Sequence, residues 1–176
     1  MSAGAGPDQD GPPPSVTFGF ESPAQADAHR LFAASNAYSA SLYPAESNHP
    51  VTPEALVATA ARFLVVRDAE GRAVGCGALR IDADRTAELK RMWVEPGARG
   101  TGLGRRLLER LVAEARERQV KVIRLETGIR QPAAIALYRS AGFVDCPPFG
   151  SYGPDPLSLF LELDLEAGKS ITLGDA

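Results

Sequence analysis

The chain has 176 residues, 44% of them hydrophobic and 23% charged, with a formal net charge of −3. That balance describes one globular domain able to bury its own core, and the slight acidity argues against a nucleic-acid binder, which is normally basic. Two cysteines, Cys76 and Cys146, lie outside any CxxC pattern, which excludes a disulfide framework or structural zinc site, and nothing approaches the roughly 18 apolar residues of a membrane span.

The opening residues 1–14 have neither the basic nor the apolar region of a secretory signal, and their Gly, Pro and Asp content predicts a disordered tail. A domain is expected over 15–166 and a short tail over 167–176. The free thiols and the missing signal suit a cytoplasmic protein. "SVTFGF" reads as a short strand. Ser22-Pro23 reads as a cap and first-turn proline, with Ala24, Ala28, Leu31 and Phe32 at helical spacing. "SASLYPAESNHP" carries two prolines and no periodicity, which predicts a loop, and Thr52-Pro53 opens a second short helix through about Ala61.

Phe63–Val66 and Val74–Ile81 form a predicted hairpin around a turn at Asp68, Glu70 and Gly71. "TAELKRMWV" follows as a third strand. Strict alternation puts Leu89, Arg91 and Trp93 on one face and Glu88, Lys90, Met92 and Val94 on the other. Leu103, Leu107, Leu111 and Ala115 then mark a strong amphipathic helix. "VKVIRLET" is a strand ended by Gly128, and Pro132 opens a helix closed by Gly142. "FVDC" and "LSLFLELDL" are final strands around a Pro- and Gly-rich loop. Meander strands followed by a β-α-β unit predict a mixed sheet with helices on both faces.

The run "VEPGARGTGLGRRLLERL" places glycines at alternate positions and Arg99, Arg105 and Arg106 where a helix begins. Helix N-termini favour anions, so basic residues there fit badly unless a phosphate sits among them. Strand, Gly-rich turn and helix is a general phosphate cradle. The Walker A pattern is absent. The dinucleotide fingerprint fails because Arg105 stands where its last glycine belongs, although Glu126 ends the next strand about twenty residues on, where a ribose-binding acid would sit.

The same run closely resembles the acyl-CoA motif of the GNAT superfamily of acyl-CoA-dependent N-acyltransferases, a strand followed by V-x-P-x-x-[QR]-G-x-G-x-[GA] and a helix. "PAAIALYRSAGF" resembles a later motif of that family, matched at Ala134, Leu137, Tyr138, Gly142 and Phe143, with Gln131 where the family usually has Asn. The resemblance spans roughly Phe63 to Leu165, and "SLYPAESNH" and "VGCGALR" look like a bacterial branch. It implies an α/β (α+β) fold of the GNAT type: a central mixed, mostly antiparallel sheet with helices on both faces, splayed around the cofactor strand. It also implies transfer of acetyl from acetyl-CoA to the amine of a small molecule by direct attack.

The cofactor residues implied are Met92, Trp93, Val94, Arg99, Gly100, Thr101, Gly102, Leu103, Gly104, Arg105, Gln131 and Tyr138. The Val94 N–H is expected to polarise the thioester carbonyl, and Tyr138 to protonate the departing sulfur. Glu88 is the expected base, acting through water from the face shared with Met92 and Val94, with His49 as an alternative. Tyr43, Glu46, Asn48 and His49 are expected to shape the acceptor pocket. No metal site, nucleic-acid partner or membrane partner is expected; a homodimer is an open expectation. Two rivals remain: a non-catalytic acyl-CoA-binding regulator, and an enzyme acetylating protein N-termini or lysines. The latter needs an open groove, whereas the loops around Tyr43, Phe149 and Tyr152 suggest a lid.

Overall fold

The computed structural model describes residues 15–167; the expected tail over 1–14 and most of that over 167–176 lie outside them. Seven strands form one sheet in the order β1-β2-β3-β4-β5-β7-β6: β1 Thr17–Phe20, β2 Arg62–Arg67, β3 Ala73–Ile81, β4 Thr86–Val94, β5 Val122–Gly128, β6 Val144–Asp145 and β7 Ser158–Asp164. Among the described residues only β4 and β5 run parallel; the other neighbours are antiparallel. The helices are α1 Ala26–Leu42, α2 Pro53–Ala58, α3 Leu103–Glu117 and α4 Pro132–Ser140. This is the expected mixed, mostly antiparallel α/β architecture.

Its two faces carry separate cores. Leu103, Leu107, Leu108 and Leu111 of α3, with Tyr138 and Phe143, pack on Leu64, Val66, Leu79, Leu89, Ile123 and Leu125. Ala28, Leu31 and Phe32 of α1, with Leu56 of α2, pack on Phe63, Val65, Cys76, Ala78 and Trp93. The opposite-face alternation of β2 follows from burial on both sides. Cys76 is fully buried, and desolvation pushes its thiol up to about 12, so it serves packing rather than chemistry.

Three local expectations are corrected. The first helix begins at Ala26, with Gln25 as its cap, because Arg67 grips Glu21, Gln25 and Asp27 and holds Ser22–Ala24 as a turn. The same helix continues to Leu42 through part of the predicted loop; tertiary contact helps, since Tyr38 packs on Trp93 with ring centroids 5.7 Å apart. The second helix ends at Ala58, short of Ala61, with Ala60 at φ 51°.

The fourth correction alters the site. Strict alternation along β4 fails at Arg91, a non-glycine residue at φ 58°, where the β3–β4 register also shifts. Ala87 and Leu89 face the α3 core, and so do Met92 and Val94, whereas Trp93 enters the α1 core. Glu88 therefore lies on the opposite face from Met92 and Val94. An extra residue in one strand reverses the phase of every side chain beyond it.

Candidate active site

The sheet opens at its one parallel junction. β4 and β5 pair only from Thr86–Glu88 to Val122–Arg124, while β5 goes on pairing with β7 as far as Gly128. The divergence leaves a cavity of about 460 Å³ lined by α1, the loop before α2, the outer halves of β4 and β5, α4 and Tyr152. Tyr43 closes one end. Its buried ring lies directly against Gly128, where any Cβ would collide with it, and its hydroxyl accepts the Arg130 N–H at 2.9 Å.

Next to this cavity, outside its lining, the cleft has a wall of backbone. Glu95 N–H donates to Val74 O on the β3 side, so alternation turns the Val94 N–H toward the β5 side, where no strand pairs with it. The loop beyond places Gly100 at φ 78° and Gly102 at φ 76°, conformations that suit glycine, with open space where each Cβ would stand. Among the described residues, the N–H groups of Thr101, Gly102, Leu103, Gly104 and Arg105 find no intramolecular acceptor; the first bond of α3 is Arg106 N–H to Gly102 O. This run of unpaired donors at a fifteen-residue helix fits the pyrophosphate of a nucleotide such as CoA. Gly104 lies beside Leu137, and Arg105 donates to Ser140 Oγ at 2.7 Å, so the loop abuts α4 and hence Tyr138.

The basic cluster divides in three dimensions. Arg105 stays beside the loop. Arg99 stacks on Trp93, 4.7 Å from the ring centroid, and donates to Val94 O at 2.9 Å. Arg106 turns away to lie 5.0 Å over the Phe18 ring.

The other wall is made of side chains. Glu88 is nearly sealed from solvent and saturated: Lys90 lies 2.8 Å away, Arg80 3.2 Å, and the Tyr152 hydroxyl donates to it. Tyr152 is itself tied to Lys90 at 2.8 Å and packed edge-on against His49 and Phe149. Glu126, on β5, has a single hydrogen-bond donor, Ser158 Oγ at 2.7 Å, and no ion pair among the described residues. Burial pushes its carboxyl above the ordinary glutamate value, against the weaker opposing pull of Ser158, His49 and Lys90. Tyr138 is buried, its hydroxyl has no hydrogen-bond partner among the described residues, and burial, with the Glu126 charge, raises its pKa and keeps it protonated.

The cavity thus brings together Glu88, Met92, Gln131, Tyr138, Tyr43, Asn48 and His49. Asn48 also caps its own turn through Tyr43 O and Pro44 O. Glu46 is exposed and outside the lining, on a short 3-10 turn that points it to solvent. Trp93 and Leu103 bury their side chains in the two cores, leaving only backbone for a ligand. Sequence reasoning gave Glu126 and Arg91 no part in the acyl-transfer site. Glu126 lies two residues before Gly128 near the end of β5, a usable signal that the sequence reading ties only to a ribose. Arg91 was hidden by the bulge. No cluster able to hold a metal occurs among the described residues.

Comparison with known proteins agrees with this architecture. The model of the acetyltransferase (GNAT) family matches residues 25–143. The chain is 50% identical over 153 residues to the IAA acetyltransferase of Azospirillum brasilense, covering 86% of this chain and 99% of that one. A candidate acyl-CoA N-acyltransferase of known structure from Klebsiella pneumoniae is 39% identical, with a TM-score of 0.73 over 85% of this chain and 97% of its own. A Salmonella typhimurium structure of a candidate acetyltransferase with its cofactor acetyl-CoA is 25% identical, with a TM-score of 0.65 over 92% and 99% of the two chains. With the splayed parallel junction and the donor-lined loop already in view, these matches establish that the chain is an acyltransferase belonging to the GNAT acetyltransferase family.

Proposed function

We propose that this acyltransferase moves an acetyl group from acetyl-CoA to the amine of a small molecule by direct attack. The observation that carries the reading is the adjacency of two things among the described residues: a run of unpaired amide donors at the start of α3, and a cavity holding a tyrosine hydroxyl without a hydrogen-bond partner and a carboxylate without an ion-pair partner. Acetyl-CoA would supply an activated thioester. The amides of Thr101 to Arg105 would hold its pyrophosphate, with Arg105 alongside, and Met92 and Gln131 would flank the arm leading inward. The Val94 N–H would stabilise the developing oxyanion.

An alkylamine arrives mostly as ammonium, with a pKa near 10.4. Glu126 is the residue suited to remove that proton, directly or through water, because no cation pairs with it among the described residues and burial raises its pKa above the ordinary glutamate value. This departs from the sequence expectation of Glu88. Two cations and a phenol occupy the Glu88 oxygens, which blocks the approach of an incoming ammonium and makes Glu88 an anchor for Tyr152. The amine nitrogen would form its bond to the acyl carbon as the C–S bond breaks, Tyr138 would protonate the departing sulfur, and the proton that the new amide nitrogen sheds would restore the tyrosine. The size of the cavity, about 460 Å³, and its closure at one end by Tyr43 favour a small molecule over a protein terminus, and the relative named IAA acetyltransferase points the same way. No helix among the described residues is long and apolar enough to cross a membrane, and the two free thiols suit a reducing cytoplasm.

The test is a thiol-release screen with acetyl-CoA over amino acids, polyamines and aminoglycosides, alongside calorimetric titration of CoA. Thiol release with one acceptor class, together with stoichiometric CoA binding, is the expected result. CoA binding without release from any acceptor would make the protein an acyl-CoA-binding regulator instead.

A further inference from the structure

The cavity contains four charged side chains, and their partners divide them unequally. Glu88 and Lys90 answer each other at 2.8 Å. Glu126 has only a hydroxyl donor. The fourth is Arg91. The β4 bulge sets its guanidinium over the Phe32 ring, 4.4 Å from the centroid, where it donates Nε–H to Val51 O at 2.7 Å and Nη1–H to Asn36 Oδ1 at 2.6 Å. Both acceptors are neutral, and no carboxylate pairs with Arg91 among the described residues. Val51, Asn36 and Arg91 all line the cavity. A guanidinium carries five donors, so three N–H directions remain.

A half-buried guanidinium without an anion is unfavourable on its own, and it stands here on a backbone conformation that non-glycine residues rarely adopt. Burial also pulls the Arg91 pKa down, consistent with a charge that lacks a counter-ion. The planar fork matches a carboxylate better than any other common small anion of one charge, and Asn36 fixes its orientation. The cavity therefore presents one uncompensated cation and one uncompensated anion.

We propose that the acceptor is an amino acid or a close analogue, its carboxylate seated on Arg91 and its amine directed to Glu126. The inference rests on reading this cavity as the acceptor site, and it names the chemistry that the site selects. Polyamines and simple alkylamines lack the group that Arg91 would pair with and leave that charge buried, so they are disfavoured.

The experiment measures binding rather than turnover. Full-length protein saturated with CoA is titrated calorimetrically with N-acetylglycine, N-acetylalanine, N-acetylleucine and N-acetylglutamine, and with the primary amide of each, which keeps the shape and removes the charge. At least one acid is expected to bind about 10- to 100-fold more tightly than its amide, the scale of a charge-assisted hydrogen-bond pair. Arg91→Met should bring acid and amide within about 2-fold of one another. Asn36→Asp is the second variant: it alters an exposed helix position and places an internal carboxylate on Arg91, so it should remove the same preference while the protein stays folded. Equal binding of acids and amides to the parent, no binding of any acid, or an acid preference that survives Asn36→Asp would overturn the proposal. The transfer reading fails separately: acid selectivity without thiol release from any amine leaves the carboxylate site standing and removes the acetyltransferase chemistry.

Discussion

The two walls of the cleft are built from different materials. The wall at the start of α3 is mostly backbone: five N–H groups and the Val94 edge, with Leu103 turned into the core, Arg99 stacked on Trp93 and Arg105 alone of the arginines kept beside the loop. The wall formed by β4, β5 and the Tyr152 loop is side chains, and what each does depends on its neighbours. Glu88 and Glu126 are the same residue type facing one cavity, yet one is quenched by Arg80, Lys90 and Tyr152 and the other holds a single hydroxyl. Backbone donors have fixed chemistry, so their position decides their role. A carboxylate has two charge states, and its partners decide which of them it holds.

The most damaging change to the backbone wall is Gly102→Asp. Aspartate tolerates positive φ and nothing crowds a Cβ there, so the protein should fold. A carboxylate beside bound phosphate costs about 4 kcal/mol at close range, which is about 10³-fold in affinity. Calorimetry that finds CoA binding unaltered in this variant would move the cofactor elsewhere.

On the side-chain wall, Glu126→Gln should lower kcat by about 10²- to 10⁴-fold while CoA affinity holds, and Tyr138→Phe should lower it by about 10²-fold or more. The parent's kcat/KM should fall on acidification at a pH above that of an ordinary glutamate, because the Glu126 pKa is raised. Glu126 also carries an opposite signature in stability. A carboxyl whose folded pKa is raised contributes stability below its unfolded value of 4.5, and loses it as pH rises through the folded pKa. Glu126→Gln should therefore melt higher than the parent at neutral pH, with the advantage fading toward pH 4.5. A variant that lost both activity and melting temperature would place Glu126 in the scaffold.

Glu88→Gln should show the reverse balance. Activity should change by less than about 10-fold, but removing the anion leaves Lys90 and Arg80 facing one another, a loss on the order of 3 kcal/mol for a buried network. Chemical denaturation and steady-state rates on one acceptor separate the two glutamates. A Glu88→Gln variant as slow as Glu126→Gln would erase the distinction drawn between them.

The smallest effect lies away from the cleft. Hydrogen bonds from Arg67 hold Glu21 and Asp27 below their ordinary values, against the cost of burial. Their contribution is present above the unfolded values of 4.5 and 3.8 and is lost as pH falls through the lowered ones. These pairs are partly exposed, so each contributes at most about 1 kcal/mol. Arg67→Met should flatten the acid limb of the stability profile below about pH 4.5 without touching CoA binding. An unchanged acid limb would show that the pairs contribute nothing net.

Element order, the mixed sheet and the glycine loop were legible in the residues. They rest on local rules: period-2 and period-3.6 burial, prolines opening helices, and glycines where the backbone turns left-handed. The start of α3 could be read because its chemistry belongs to the backbone and its spacing marks it. What tertiary structure alone decided begins at one residue of β4. The Arg91 bulge reversed the faces, took Glu88 off the side of Met92 and Val94, and brought an arginine to the cavity. Nothing local in "ELKRMW" announces it, because a bulge is settled by pairing with β3 across the sheet. The partners of Glu88 come from β3, from its own strand and from Tyr152, sixty-four residues further along the chain. Those distant contacts determine which of the two glutamates is left without an ion-pair partner, since the partners of a buried carboxylate are supplied by the groups that fold around it.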